Sequence, residues 1–288
     1  MRSLLKIFLT AAGTLLIIVI LVLIILSFAN IAFNSKVDQE AKYLLSTFKN
    51  ETEKVITEED LAGLPPVVEK WLRASQVIGK ERIQTVRLKQ KAVLRTKPNQ
   101  PWMSTEAVQY FTVDNPGFIW KAKVKAAPFI HLAGRDKYEQ GKGHMLIKLL
   151  SLINVADAKG PEIDQGAMLR YLVETIWFPT AALSNYITWE EVDNQSAKAT
   201  ISSGGISASG VFSFNEKGEV VNFIAKRYME EDGKYSLETW STPIKEYKEF
   251  NGVRIPSKGE IIWKLSSGDF NWFKCEITDI EYNKIDIY

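Results

Sequence analysis

One cysteine in 288 residues, Cys275, leaves no partner for an internal disulfide, and a domain of this size outside the cytoplasm does not need one. Histidine is almost as scarce. His131 and His144 are too far apart for a local metal motif, and neither HExxH nor CxxC occurs, so no metal and no cofactor is expected. The chain has no G-x-S-x-G elbow for a serine nucleophile. Gly204-Gly205 and Gly141-Lys142-Gly143 lack the strand-to-helix context of a phosphate-binding loop and read as turns or bulges. Charge of one sign is missing too. With 36 basic and 34 acidic residues, the chain has none of the basic excess of a nucleic-acid binder. There is no internal repeat, low-complexity tract or Gly/Ser linker.

What is present begins with Leu4 to Ala29, apolar except at Lys6, Thr10, Thr14 and Ser27. About twenty apolar residues at ~1.5 Å rise cross the ~30 Å hydrocarbon layer of a bilayer. Backbone groups there must be satisfied internally, which requires a helix. Ser27-Phe28-Ala29 resembles a cleavage site, but the run is longer than the ~7–15 residues of a signal core. A retained anchor is therefore expected. Cys275 is too far along the chain to carry an N-terminal lipid. Arg2 and Lys6 precede the run and mixed charges follow it, which places the N-terminus in the cytoplasm and the rest outside.

About 250 residues remain, enough for one large domain. Residues 1–30 read as the anchor, 31–80 as a helical stalk and lead-in helices, and 81–288 as a β domain. The stalk has Val37, Ala41, Leu44, Leu45 and Phe48 at helical spacing. Thr57 to Asp60 looks like a helix cap, and Pro65-Pro66 opens an amphipathic helix through Trp71 and Leu72. The period then changes to two. Strands are expected at 82–95, 103–113 and 118–127, with a further pair over 135–150, then 186–192, 197–202, 205–214, 220–228, 245–250, 253–255, 259–265 and 270–281. Asn251-Gly252 is a strong hairpin signal. One long helix, 161–178, interrupts the strands. It starts at Pro161 with Glu162 and Asp164 in its first turn, and Phe178-Pro179 ends it. The fold class is α+β, dominated by antiparallel sheet.

Three groups of side chains are candidates for function. Asp157, Glu162 and Asp164, with Arg135 and Arg170 as partners, are the best material for paired-carboxylate chemistry, against helix capping as the plainer explanation. Arg87, Lys89 and Lys91 on one strand and Lys121, Lys123 and Lys125 on another form basic stripes. They are either a solvated outer face or a surface for anionic lipid head groups, where each cation contributes about 1 kcal/mol. The aromatic content, 8 Trp, 10 Tyr and 14 Phe, exceeds what a thin sheet-on-helix core requires. Tyr110, Phe111, Trp120, Leu172, Ile176, Trp177 and Trp263 are expected to line an apolar cavity between a curved sheet and its covering helix.

At Leu64-Pro65-Pro66, Gln109-Tyr110-Phe111, Pro116 to Trp120, Gly134-Arg135-Asp136, Asp157 to Glu162, Arg170-Tyr171-Leu172, Trp177-Phe178-Pro179 and Phe250 to Pro256, the chain resembles an uncharacterised family of bacterial membrane-anchored proteins. The resemblance spans about Leu61 to Tyr282 and implies location rather than activity. The helix-sheet-helix-sheet order, the hairpin ending in Gly252 to Pro256 and the last strand through Ile277 to Asn283 also resemble the lipoprotein-carrier (LolA/LolB-like) fold. That resemblance implies a large curved antiparallel sheet, an incomplete barrel, closed by helices over a cavity for acyl chains. Those carriers are soluble or lipid-anchored, whereas this chain has an apolar helix. The resulting expectation is a tethered, non-enzymatic, extracytoplasmic binder of a lipid, acyl chain or lipoprotein. The alternatives are a membrane-associated hydrolase using the acidic/Arg group and an interaction module of an envelope complex. Membrane lipid and an envelope protein are the partners these readings imply.

Overall fold

The apolar N-terminal run continues directly into the amphipathic stretch that follows it. In the computed structural model, which describes residues 2–47 and 54–288, one helix, α1 (Arg2–Ser46), carries both. Its apolar side chains from Leu4 to Phe28, Leu26 excepted, are exposed, and it is the one described helix long and apolar enough to cross a membrane. From Phe33 onward the spacing of Val37, Ala41, Leu44 and Leu45 puts them on one stripe, and all are buried. Fully burying a Leu, Val or Phe contributes about 1.5–3 kcal/mol each, so this half of α1 is fastened to the domain. Phe48 lies outside the described residues.

Thr57 caps a short 3-10 turn, Glu58–Leu61, with Asp60 bonding back to the Thr57 N–H at 2.9 Å. Pro66 occupies the first position of α2 (Pro66–Ala74), whose Val68, Trp71 and Leu72 are buried. Strands follow. β1 (Thr85–Leu94), β2 (Met103–Thr112), β3 (Gly117–Ala127), β4 (Ile130–Glu139), β5 (Lys142–Leu149) and β6 (Ile153–Ala158) form a meander. After α3 (Pro161–Glu174) come β7 (Ile187–Asp193), β8 (Ser196–Ser203), β9 (Ile206–Phe214), β10 (Val220–Glu231), β11 (Lys234–Ser241), β12 (Ile244–Phe250), β13 (Val253–Leu265) and β14 (Gly268–Tyr282).

All pairings are antiparallel. The single sheet runs in the order β6-β5-β4-β3-β2-β1-β14-β13-β11-β10-β9-β8-β7, with β12 attached to β13. The last strand thus closes onto the first, and the sheet curls around α3 and α2 as an incomplete barrel. Asn251 and Gly252 both have positive φ, 50° and 75°, as a two-residue hairpin turn requires.

Four elements differ from the expected pattern. The helix expected over 161–178 stops at Glu174 and continues as two 3-10 turns, Thr175–Trp177 and Pro179–Leu183, because Pro179 disfavours helical backbone at Phe178. The region expected to hold one strand pair holds three strands, since Leu150 and Ser151, both at positive φ, reverse the chain into β6. β11 carries exposed Tyr235 and Leu237, so it shows no buried face in its alternation. The two strands expected over 253–265 are one, running through Pro256. That residue pairs with β12 and precedes the β13–β14 ladder, so its missing N–H costs no bond on that side.

The sheet has apolar residues on both faces. Cross-strand partners share a face. The row Val86, Phe111, Phe118, Tyr138 lies on the inner side and packs against Tyr171 and Phe178. Its neighbours Tyr110, Ile119, Ala133 and Leu146 lie on the outer side, under Phe33, Val37, Ala41, Leu44 and Leu45 of α1.

Candidate functional site

The inner side is solid at one end of strands β1–β4 and hollow at the other. Next to the β1–β2, β3–β4 and β13–β14 turns, Leu94, Val124, Leu132 and Phe273 line a cavity of about 520 Å³. α3 forms its roof with Ile163 and Val173, and Ile176 and Trp177 of the 3-10 turn that follows close it. Trp240 and Trp263, cross-strand neighbours, form the opposite wall. The lining is largely apolar.

A polar group sits at the cavity's deep side. Arg170 reaches down from α3 and donates to Asp136 Oδ2 at 2.6 Å and, one turn along its own helix, to Glu174 Oε1 at 2.9 Å. Gln109 donates to Glu174 Oε2 at 2.8 Å, Gln90 contacts Gln109 at 3.4 Å, and Trp120 Nε1 donates to Gln90 at 2.9 Å. The Arg170 guanidinium lies 5.0 Å from the Trp120 ring centre. Burial pushes the Glu174 carboxyl above its ordinary range, against the pull of Arg170. Burial likewise pushes the Cys275 thiol on the cavity wall up to about 12, which leaves it un-ionised and unreactive at neutral pH.

The residues singled out from the sequence divide among three places. Trp120, Ile176, Trp177 and Trp263 line the cavity. Phe111 and Leu172 lie in the packed core beside it, Phe111 with its ring 4.8 Å from that of Phe178. Tyr110 is on the other side of the sheet, against α1 and Tyr288, because strand alternation sends it opposite to Phe111.

The acidic group does not converge. Asp164 accepts from the Gly143 N–H at 2.8 Å and from Lys142 at 2.9 Å, tying α3 to β5. Asp157, on β6, accepts from His144 Nε2 at 2.7 Å on the outer side. Glu162 is not part of the cavity lining. Of the two arginines, only Arg170 turns its guanidinium inward. Arg135 Nε lies 3.1 Å from Glu40 of α1, and its Nη2 donates to His144 Nδ1 at 2.9 Å. An arginine only donates, so His144 carries its proton on Nε2.

The basic stripes face outward. Arg87 pairs with Glu281 and Asp286, each at 2.7 Å, Lys89 with Asp279 at 3.2 Å, and Lys121 with Asp38 of α1. Lys91, Lys123 and Lys125 are exposed and make no ion pair among the described residues. They lie toward the same end as the cavity. So does the exit of α1. Ser151, in the β5–β6 turn, donates to Asn30 at 3.2 Å, and the helix before Asn30 continues past that end of the sheet. The turns and strand ends around it present exposed apolar side chains: Phe129, Ile130, Leu152, Ile153 and Val155.

Asp136, Glu174, Gln90, Gln109 and Arg227 joined the site without being singled out as its members. A signal for two of them was present, since Gln90 and Gln109 are polar residues in the buried phase of their strands. Among the described residues no three His, Cys, Asp or Glu side chains gather as a metal site.

A family of unknown function (DUF6544) has a model that matches residues 54–275. Similar solved structures include a putative outer membrane lipoprotein-sorting protein domain from Vibrio parahaemolyticus, with 8% identity, 75% of this chain and 92% of that one covered, and a TM-score of 0.38. A LolA-superfamily protein from Nitrosomonas europaea matches at 7% identity over 75% of this chain and 94% of its own, with a TM-score of 0.42. A β-barrel-like protein of unknown function from Brucella abortus matches at 13% identity over 70% and 99%, with a TM-score of 0.23. A search of curated proteins found no match.

Proposed function

The chain belongs to this family of unknown function, which brings no activity with it, and we propose that it is a membrane-tethered, extracytoplasmic binding protein for a hydrophobic ligand such as a lipid, an acyl chain or a lipoprotein's acyl group. One observation carries the reading: the apolar cavity occupies the end of the sheet from which the apolar half of α1 departs. With α1 in a bilayer, the cavity lies beside the lipid that would fill it. Its volume falls within the ~300–1,000 Å³ of small-molecule sites.

The surroundings fit. Lys91, Lys123 and Lys125 stand where anionic head groups would lie, each adding about 1 kcal/mol near such a surface. Arg87, Lys89 and Lys121 are neutralised by their own carboxylates and contribute less. Arg2 and Lys6 hold the N-terminus on the cytoplasmic side, with the domain outside. A hydrolase reading gains little, because Asp157, Glu162 and Asp164 are separated, and Asp157 and Asp164 are held by partners of their own.

Native mass spectrometry of the full chain, released from its membrane by mild detergent, tests the proposal. A co-purifying mass of lipid size is expected. A ligand-free mass under conditions that keep lipids on other membrane proteins would overturn it.

A further inference from the structure

We infer that Arg227 is an anion seat, so that the ligand is an amphiphile with an acidic head, a carboxylate or a phosphate, and an apolar body. The inference rests on the hydrophobic-ligand reading above and deepens it by naming the end of the ligand that is recognised.

Arg227 is on β10, in the inward phase with Phe223 and Ala225, and it lines the cavity. Its guanidinium carbon lies over the aromatic wall, 4.7 Å from the Trp240 ring centre and 5.9 Å from that of Trp263. On its other side is α3, at Gly166. A Cβ there would come 3.1 Å from Arg227 Nε, so the glycine allows the helix to lie over the guanidinium.

An arginine has five N–H donors and cannot discharge itself. The other cations around the cavity are provided for. Arg170 has Asp136 and Glu174, Lys258 has Glu246 at 2.7 Å, Arg135 has Glu40, and Arg95 donates to the carbonyls of Asn271 and Pro98. Arg227 donates to nothing and pairs with no carboxylate among the described residues, and its Nε is closed off from solvent. Burial, with the Arg170 charge adding to it and the more distant Asp136 and Glu174 charges opposing it, pulls its pKa down to about 10.

Arg227 as a whole is half-buried, with its Nε closed off, and a charge so far withdrawn from water is expensive and normally paired. Its place over Trp240 restrains the fork, so little further entropy is lost when its unpartnered N–H groups meet a planar or tetrahedral anion. An anionic head at Arg227 would supply the missing acceptors. The apolar tail would run along Trp263 and Ile261 toward Leu94 and Phe273.

The test uses the full chain in phosphatidylcholine nanodiscs, titrated calorimetrically at pH 7.5 with dodecanoate, dodecyl phosphate, dodecan-1-ol and dodecyltrimethylammonium, empty nanodiscs being subtracted. The wild type is expected to bind at least one of the two acids tenfold or more tighter than the alcohol, and the cation weakest. The stronger acid identifies the head group. Arg227→Met should bring that acid to the level of the alcohol while leaving the alcohol unchanged, and Arg227→Lys should keep part of the preference. Should Arg227→Met not fold, the wild-type ranking and Arg227→Lys decide. Alcohol binding equal to both acids overturns the anion seat and leaves the hydrophobic cavity standing. No binding of any of the four overturns both.

Discussion

Arg135 on β4 and Glu40 on α1 lie 3.1 Å apart across the outer face of the sheet, the arginine side chain only 2% exposed. The Arg135 N–H is not aimed at the carboxylate, and Glu40 Oε2 has no hydrogen-bond partner, so the contact is Coulombic. It joins α1 to the strand whose next residue, Asp136, holds Arg170 on the other face. Glu40→Gln removes the charge and keeps the shape. We expect a loss of about 1–3 kcal/mol, the cost of leaving a buried charged group under-satisfied. Thermal unfolding of the full chain in detergent checks this, and an unchanged midpoint would mean that α1 is held by its apolar stripe alone.

Arg170 neutralises two carboxylates at the cavity. Arg170→Met leaves Asp136 and Glu174 uncompensated, and breaking such a buried pair costs about 3–5 kcal/mol. The loss should shrink as pH falls, because a carboxyl already pushed up by burial takes a proton readily once its arginine is gone. Comparing unfolding midpoints of the variant and wild type at pH 5 and pH 8 tests the sign. A deficit that is equal at both values counts against this account of the cluster.

Both histidines are held below their ordinary value, first by burial. For His144, Arg135 and Lys159 add to the effect and the Asp157 bond opposes it; for His131, Lys123 adds to it. A depressed histidine pKa means that the unfolded chain binds the proton more readily. The stability this contributes is present above about pH 6.5 and is lost as pH falls below it, toward the folded-state values. His144→Gln, which still reaches Asp157 without titrating, should flatten the fall in unfolding midpoint between pH 7.5 and 5.5. An identical slope in the variant refutes it.

Gly143 is where β5 meets α3. A Cβ there would lie 2.5 Å from the Ile163 carbonyl oxygen and 2.9 Å from Ala167 Cβ, both on the helix. Gly143→Ala must push the roof of the cavity outward. Overpacking of this kind costs about 1–3 kcal/mol. Ligand retention should fall with it, measured as the lipid-bound fraction in native mass spectra, since α3 carries Ile163, Arg170 and Val173. Retention at the wild-type level would show that the roof does not set the fit.

Phe129 is fully exposed at the β3–β4 turn, and with Ile130, Leu152, Ile153 and Val155 it surrounds the exit of α1. If α1 spans a bilayer, these tips touch it. The un-ionised Cys275 leaves Phe129→Cys as the reactive thiol for an environment-sensitive fluorophore. We expect a blue-shifted emission quenched by brominated lipid, with stability changed by less than about 0.5 kcal/mol, as for surface substitutions. A water-like emission insensitive to brominated lipid would place that end of the sheet away from the membrane.

Much of the fold is written locally. The apolar run, the period-two strands, Asn251-Gly252, and Pro161 ahead of Glu162 and Asp164 each act through backbone propensity or solvation, which neighbouring residues suffice to set. Alternation also places Trp120 and Phe111 on the inner phase of adjacent strands. It does not say that the other phase is covered too. Tyr110, Ile119 and Leu146 are apolar because α1 lies on them, and the partner residues are separated by some seventy to a hundred positions. Arg135 looks like a partner for Asp157 in the sequence; in space Glu40 is nearer.

An apolar helix ahead of an antiparallel sheet rich in aromatic residues can be read from the chain alone, because hydropathy and periodicity are properties of neighbouring residues. The cavity that the aromatics leave where that helix departs, and the carboxylate partners that Arg170 has and Arg227 lacks, arise from tertiary contacts. Packing volume and ion pairing depend on which distant strands the curl of the sheet brings together, and no local pattern records that.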